Sequence, residues 1–352
     1  MSVCPFDHPI LGGLLGDEEI AGYFSVEAEI KAMLVFEAAL AAAEGKAGLI
    51  SEETTAAIVD AIAAFEPDIH RLRMAVSTDG VVVPELVRQL REAIGGKAAS
   101  HVHFGATSQD VIDSGLMLRL KPVLALVEQR LAVFLRALAD LEKRDGERAL
   151  MAVTRMQPAV PIRVADRIAS WREPCERNLE RLRAWIMGGL ALQFGGAAGT
   201  LDKLGDKATG VRAALAEELG LADRPQWHSQ RDRIADLAST LSLISGGLGK
   251  FGQDIALMAL SGDAIELAGG GGSSAMPHKQ NPVSAEVLVT LARFNATQIA
   301  GLHGALVHEQ ERSGAAWTLE WMILPQVIVA TATATRLATE LATNIRRLGN
   351  ET

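Results

Sequence analysis

Cysteine is scarce in this chain. Cys4 and Cys175 are its only two, too few and too far apart for a disulfide framework or a cysteine metal cluster, and their use fits a reducing cytoplasm. Aromatic residues make up 4% of the sequence, with one Tyr, so runs that favour β-sheet are rare. No Lys/Arg tract is long enough to form a basic stripe, and the formal net charge is −9; binding to the phosphates of nucleic acid is therefore disfavoured. The opening segment, MSVCPFDHPI, has neither the basic nor the apolar region of a signal peptide. No stretch of about 18 apolar residues runs free of charge and glycine, so no membrane span is expected. His-x₃-His and Cys-x₂-Cys pairs are missing, as are Rossmann and P-loop patterns, so neither a metal nor a cofactor is expected.

What is present is helix. Ala and Leu dominate an apolar fraction of 49%, against 22% charged, enough to bury a sizeable core in 352 residues. Between Val26 and Gly45 there is no Gly or Pro, and Ile30, Met33, Leu34 and Leu40 recur at helical spacing. Ser51 followed by Glu52 and Glu53 reads as a helix start. Residues 76–84, VSTDGVVVP, predict a loop or short extended piece, and the next helix stops at Gly95–Gly96. Longer helices are then predicted over 107–144, with a kink at Pro122, and over 161–188, 231–267, 282–307 and 324–348. The fold class expected is all-α. An N-terminal helical domain should occupy residues 1–105 and a long-helix bundle residues 106–352. Small, Ala-rich faces on such helices predict burial between identical subunits.

Two segments carry chemistry in their own right. Residues 269–286, GGGGSSAMPHKQNPVSAE, place a glycine hinge before Ser273, Ser274, His278, Lys279 and Asn281. Asn281 can cap the following helix, with Pro282 at its first position. A lid that brings hydroxyls and an ammonium to a substrate accounts for the rest. In GATSQD, Thr107 and Asp110 have capping-box spacing. A helix start with free backbone N–H groups and the hydroxyls of Thr107 and Ser108 can also receive a carboxylate.

GSSAMPHKQNP resembles the signature loop of the fumarase/aspartase superfamily, and HVHFGATSQDVIDSG (101–115) and TRMQPAVP (154–161) resemble its other motif regions. Their order and spacing match over nearly the whole chain. The resemblance implies a catalytic role for Ser273, Lys279 and Asn281. It implies substrate contacts for Thr107, Ser108, His103, Arg155, Gln157, Ser274 and His278. For His103 a packed or capping role stays open. Arg312 is a candidate anion ligand, with a surface ion pair to Glu309 or Glu311 as the alternative. Trp317 and Trp321, one helical turn apart, read as core more readily than as site. His8, His70 and His101 read as structural or exposed, and EKRDGER (142–148) as a solvated turn.

Where most of the superfamily reads Thr-His-x-Gln, this chain has Arg155. Arginine cannot shuttle protons. That departure, with QFGGAAGT (193–200), WHSQRDRIADLAS (227–239) and HEQERSGAAWTLEWMILPQ (308–326), resembles the cycloisomerase branch, whose members lactonise 3-carboxy-cis,cis-muconate. Adenylosuccinate lyase chemistry is opposed by Arg155 and Trp321, and a crystallin-like structural role by retention of Ser273, Lys279 and Asn281. A 3-sulfo substrate stays open, since both molecules are trianions. The resemblance further implies a homotetramer with active sites shared between subunits, a small polycarboxylate substrate and no cofactor; many superfamily members have a further C-terminal domain, and this chain is expected to lack it in full.

Overall fold

The computed structural model describes residues 3–350 apart from 273, 274, 277 and 278. Two short helices, α1 (Gly12–Leu15) and α2 (Glu18–Gly22), lead into α3 (Val26–Lys46). Ser25 caps α3 by accepting from the Ala28 amide at 3.2 Å, and Ser51 caps α4 (Glu52–Ala63) through the Thr54 amide at 3.2 Å. The predicted loop over 76–84 is narrower than expected. α5 (Ile69–Asp79) and α6 (Val83–Ile94) leave only Gly80–Val82 outside helix, with Gly80 in the left-handed conformation that ends α5. The valine run joins α6 because Val83, Leu86 and Leu90 are fully buried. Burial of an aliphatic side chain is worth about 1.5–3 kcal/mol, more than the few tenths by which valine disfavours helix.

The bundle consists of α7 (Ser108–Asp145), α8 (Val164–Gly189), α9 (Ala208–Leu219), α10 (Asp232–Ser261), α11 (Val283–Gly304) and α12 (Ala315–Thr343). α7 continues through Pro122. α12 begins well before the predicted Leu324, because Pro325 lies inside the helix rather than at its start. α10 ends earlier than predicted, with Gly262 at φ 82°. Two small antiparallel sheets were not predicted: the hairpin β1 (Ala149–Thr154) and β2 (Gln157–Arg163), and the pair β3 (Ile265–Leu267) and β4 (Ile345–Leu348). Helices otherwise account for the architecture, so the all-α class holds.

α10 packs against α8, α11 and α12, while α7 packs against α3, α8 and α12. A Cβ built on Gly249 of α10 would lie 2.5 Å from the Ala292 Cβ of α11, so the approach of these helices requires a residue without a side chain. α12 is long and apolar enough to cross a membrane, but over half of its apolar window is buried inside the bundle. The core is continuous from the N-terminal helices into the bundle; Phe36 on α3 meets Phe194 with ring centroids 6.4 Å apart.

One buried group is costly. Glu44 on α3 is fully buried, and neither of its carboxylate oxygens has a partner among the described residues. Burial, aided by the nearby Glu37 charge, pushes its carboxyl up to about 8. An unfolded Glu titrates near about 4.3. The folded chain therefore holds more protons between these values, and stability should fall as pH rises from the lower to the higher. Glu44→Gln should remove that slope and raise the melting temperature by several degrees on the alkaline side. Thermal melts of both proteins across this range would check it; parallel curves would refute it.

Candidate active site

The site is organised by the first turns of α7. Asp110 is fully buried. Its carboxylate accepts from the Thr107 amide at 3.0 Å, as the capping-box spacing predicted, and from the amides of Gly195 and Gly196 at 2.9 Å each. His228 Nε2 lies 2.7 Å from the same carboxylate. Gly196 has φ 67°, and a Cβ there would come within 2.7 Å of the Gly105 carbonyl oxygen, so this crossing admits glycine alone.

One turn further along, Asp113 takes a bidentate contact from Arg231 at 2.6 and 3.1 Å and a hydrogen bond from Trp317 Nε1 at 3.1 Å. The other edge of Arg231 donates to Glu320 at 2.9 and 2.5 Å, and its guanidinium stacks 4.7 Å from the Trp227 ring. Arg231, Asp113 and Glu320 are all buried. Burial opposes the charge of Arg231, but the two carboxylates outweigh it and raise the group above its ordinary value. Gln109 ties the two carboxylate clusters together by donating to Asp113 and to the His228 carbonyl. Segments 101–115, 193–200, 227–239 and 308–326 thus meet in one polar core. The sequence reading singled out all four stretches but gave no role to His228, Arg231, Asp113 or Glu320.

Above this core lies a cleft of about 770 Å³ lined by Ser108, Arg312, Trp317 and Trp321, with Asp79 and Gly80 on its far wall. Arg312 donates to Thr107 Oγ1 at 2.9 Å and to the carbonyl of Ala197 at 3.0 Å. No carboxylate pairs with it among the described residues, and its Nε is buried without a partner. The ion pair with Glu309 or Glu311 is not formed. Its positive charge instead stands at the N-terminus of a 38-residue helix, where the backbone dipole also favours an anion. Trp317 is core; Trp321 is half-buried, packs edge-on to Trp317 at 4.6 Å, and faces the cleft. A second cleft of similar volume between α8 and α10 is lined by Arg181 and Trp185 and by Asp232, Arg233 and Asp236 of the 227–239 segment, none of them a candidate site residue.

His103 lies just upstream in the left-handed region at φ 62°, with Nδ1 2.6 Å from Glu37 Oε1. Burial disfavours its cation, yet the Glu37 carboxylate outweighs burial and raises the imidazole above its usual range. Arg155 and Gln157 sit elsewhere, exposed at the tip of the β1–β2 hairpin, and neither lines the cleft of its own chain. Arg155 and Met156 form the two-residue turn, both at positive φ. Lys279 is exposed. Asn281 is not the helix cap: its amide and carbonyl pair with those of Gly271 at 2.9 Å, and Pro282 takes the cap position. The backbone pairing satisfies Asn281 and moves the helix start one residue on. Ser273, Ser274 and His278 lie outside the described residues. Among the described residues no three His, Cys, Asp or Glu side chains converge to hold a metal.

The sequence profile of a lyase family matches residues 17–301. The chain is 43% identical to 3-carboxy-cis,cis-muconate cycloisomerase of Pseudomonas aeruginosa over 88% of its own length and 69% of the relative's. This chain belongs to the fumarase/aspartase superfamily. A second relative in this superfamily, the enzyme of the same name from Bradyrhizobium diazoefficiens, is 38% identical over 92% of this chain and 74% of its own. The crystal structure of 3-carboxy-cis,cis-muconate lactonizing enzyme from Pseudomonas putida superimposes with a TM-score of 0.89 at 36% identity, covering 96% of this chain and 77% of that one.

The buried charge network makes a stability prediction. Arg231→Met leaves Asp113 and Glu320 uncompensated and should cost about 3–5 kcal/mol. Adding Asp113→Asn and Glu320→Gln to that variant should recover much of the loss. Urea denaturation of the single and triple variants would measure it; a triple variant no more stable than the single one would contradict the account.

Proposed function

We propose that this chain converts 3-carboxy-cis,cis-muconate to a carboxymuconolactone. Its similarity to proteins named for that activity carries the reading, and a cleft with an unpaired arginine at a helix N-terminus supports it. One substrate carboxylate adds across a double bond of the same molecule. Negative charge grows on a second carboxylate as a dianionic enolate, and the α-carbon then takes a proton. Preorganised donors are most effective where charge develops. The start of α7 with Thr107 and Ser108, Arg312, Lys279 and Asn281 supplies them. Ser273 delivers the proton, and Ser274, His278, His103 and Gln157 complete the polar surround. The attacking or leaving group is itself a carboxylate with a pKa near about 4, so it needs no proton shuttle. A fixed cation at Arg155 is then sufficient where relatives of other specificity carry a histidine.

The exposed position of Arg155 and Gln157 supports a site completed by another copy of the chain. Met151, Val153, Met156 and Val160 of the same hairpin leave 44–74% of their surface exposed, apolar area that a partner surface would cover. A homotetramer in the cytoplasm is the assembly proposed, with no nucleic acid, membrane or cofactor involved.

Loss of diene absorbance should be fastest with the 3-carboxy substrate, slower with the 3-sulfo analogue and undetectable as adenylosuccinate cleavage. Ser273→Ala should lower turnover by about 10²–10⁴-fold. Mixing inactive Ser273→Ala and Arg155→Met subunits should restore part of the activity. Adenylosuccinate cleavage without lactonisation would sink the functional reading, and no recovery under verified subunit exchange would sink the shared site.

A further inference from the structure

Glu37 has a geometry that the reaction scheme above leaves unused. It sits on α3, outside every motif segment, and is 2% exposed. Oε1 holds His103 Nδ1 at 2.6 Å, while Oε2 is buried with no partner among the described residues. A buried carboxylate with one oxygen unsatisfied is stabilised chiefly by a cation at the other. His103 is that group. Its side chain keeps 14% exposure, and Nε2 has no protein partner among the described residues. The residue also holds a positive φ that disfavours any side chain with a Cβ. It stands just ahead of Thr107, the residue to which Arg312 donates.

The charged groups around this imidazole come from three helices. Glu37 approaches from α3, Arg91 from α6 and Asp110 from α7. Arg91 is committed to the Val102 carbonyl at 2.9 Å, and Asp110 to His228 and three amides. Glu44, two turns along α3 from Glu37, stays protonated up to about 8 and adds no charge at neutral pH. Glu37 is therefore the group that sets the state of His103.

We propose that Glu37 is a positioning residue that fixes Nδ1 of His103 and keeps the ring cationic, presenting Nε2–H as a donor to a carboxylate of the substrate. The proposal rests on the reading of the site as a polycarboxylate site, but not on which polycarboxylate reacts there. A ring already protonated binds an anion without taking up a proton. Removing the Glu37 charge leaves a neutral ring that must gain one.

Calorimetric binding of citrate, an unreactive tricarboxylate, to the full-length protein separates the cases. Repeating the titration in buffers of different ionisation enthalpy counts the protons taken up. At about pH 7, near the ordinary titration of histidine, wild type should take up almost none. Glu37→Gln should take up close to one and bind on the order of tenfold more weakly, and the gap should close at lower pH as the ring protonates. Glu37→Asp, which keeps the charge, should recover part of the affinity. With substrate, Glu37→Gln should raise KM more than it lowers kcat. Once citrate's own third ionisation, which falls in the same range, is subtracted from each titration, wild-type affinity for citrate should stay flat through the ordinary histidine range, a test that needs no variant to fold. A fall centred in that range overturns the proposal. So does wild type that fails to bind citrate, citrate binding that His103→Asn leaves unchanged, or a Glu37→Gln variant that loses thermal stability alone. If citrate behaves as described while 3-carboxy-cis,cis-muconate is not turned over, the inference stands and the reaction assigned to the site falls.

Discussion

Two carboxylates one turn apart, Asp110 and Asp113, set the arrangement of everything around the cleft. Both are buried at the start of α7, where an unpaired charge would be prohibitive. Each must therefore be met by donors with fixed directions. Asp110 gathers the Gly195–Gly196 backbone and His228; Asp113 gathers Arg231 and Trp317, and Arg231 brings Glu320 with it. These groups are distant along the chain, so the two side chains determine how separate loops register against one another. Arg312 reaches the cleft because the chain around it is held in this way, and Trp321 because it packs on Trp317.

The pairing also explains why the cleft can carry a free cation. Positive charge inside the polar core is matched on both edges of Arg231. The opposite holds in the cleft, where Arg312 meets a hydroxyl and backbone carbonyls and keeps its net charge. An overall acidic chain can thus concentrate positive potential at one place, which is what binding of a polyanion requires.

Local rules were legible in the sequence and distant partnerships were not. Ser51 caps α4, and the Thr107–Asp110 spacing marks the start of α7, because each acts within one turn. His228 was invisible as a site residue since its partner lies 118 positions away. Arg312 was ambiguous for the same reason: acidic neighbours in sequence suggested an ion pair, whereas Thr107 comes from far upstream. The last helix is expected from Leu324, whereas α12 begins at Ala315 and runs through Pro325. The hairpin at 149–163 went unread because its turn contains neither Asn nor Gly.

That turn has an evolutionary consequence. Arg155 and Met156 both adopt positive φ, a conformation for which arginine and methionine are among the poorer choices and Asn-Gly among the better. Any search for a more stable chain, by consensus or by selection for heat resistance, would be drawn to replace them. Such a replacement would relax the backbone and delete the Arg155 cation together. Under the role proposed for Arg155, stability and recognition pull on the same two positions in opposite directions.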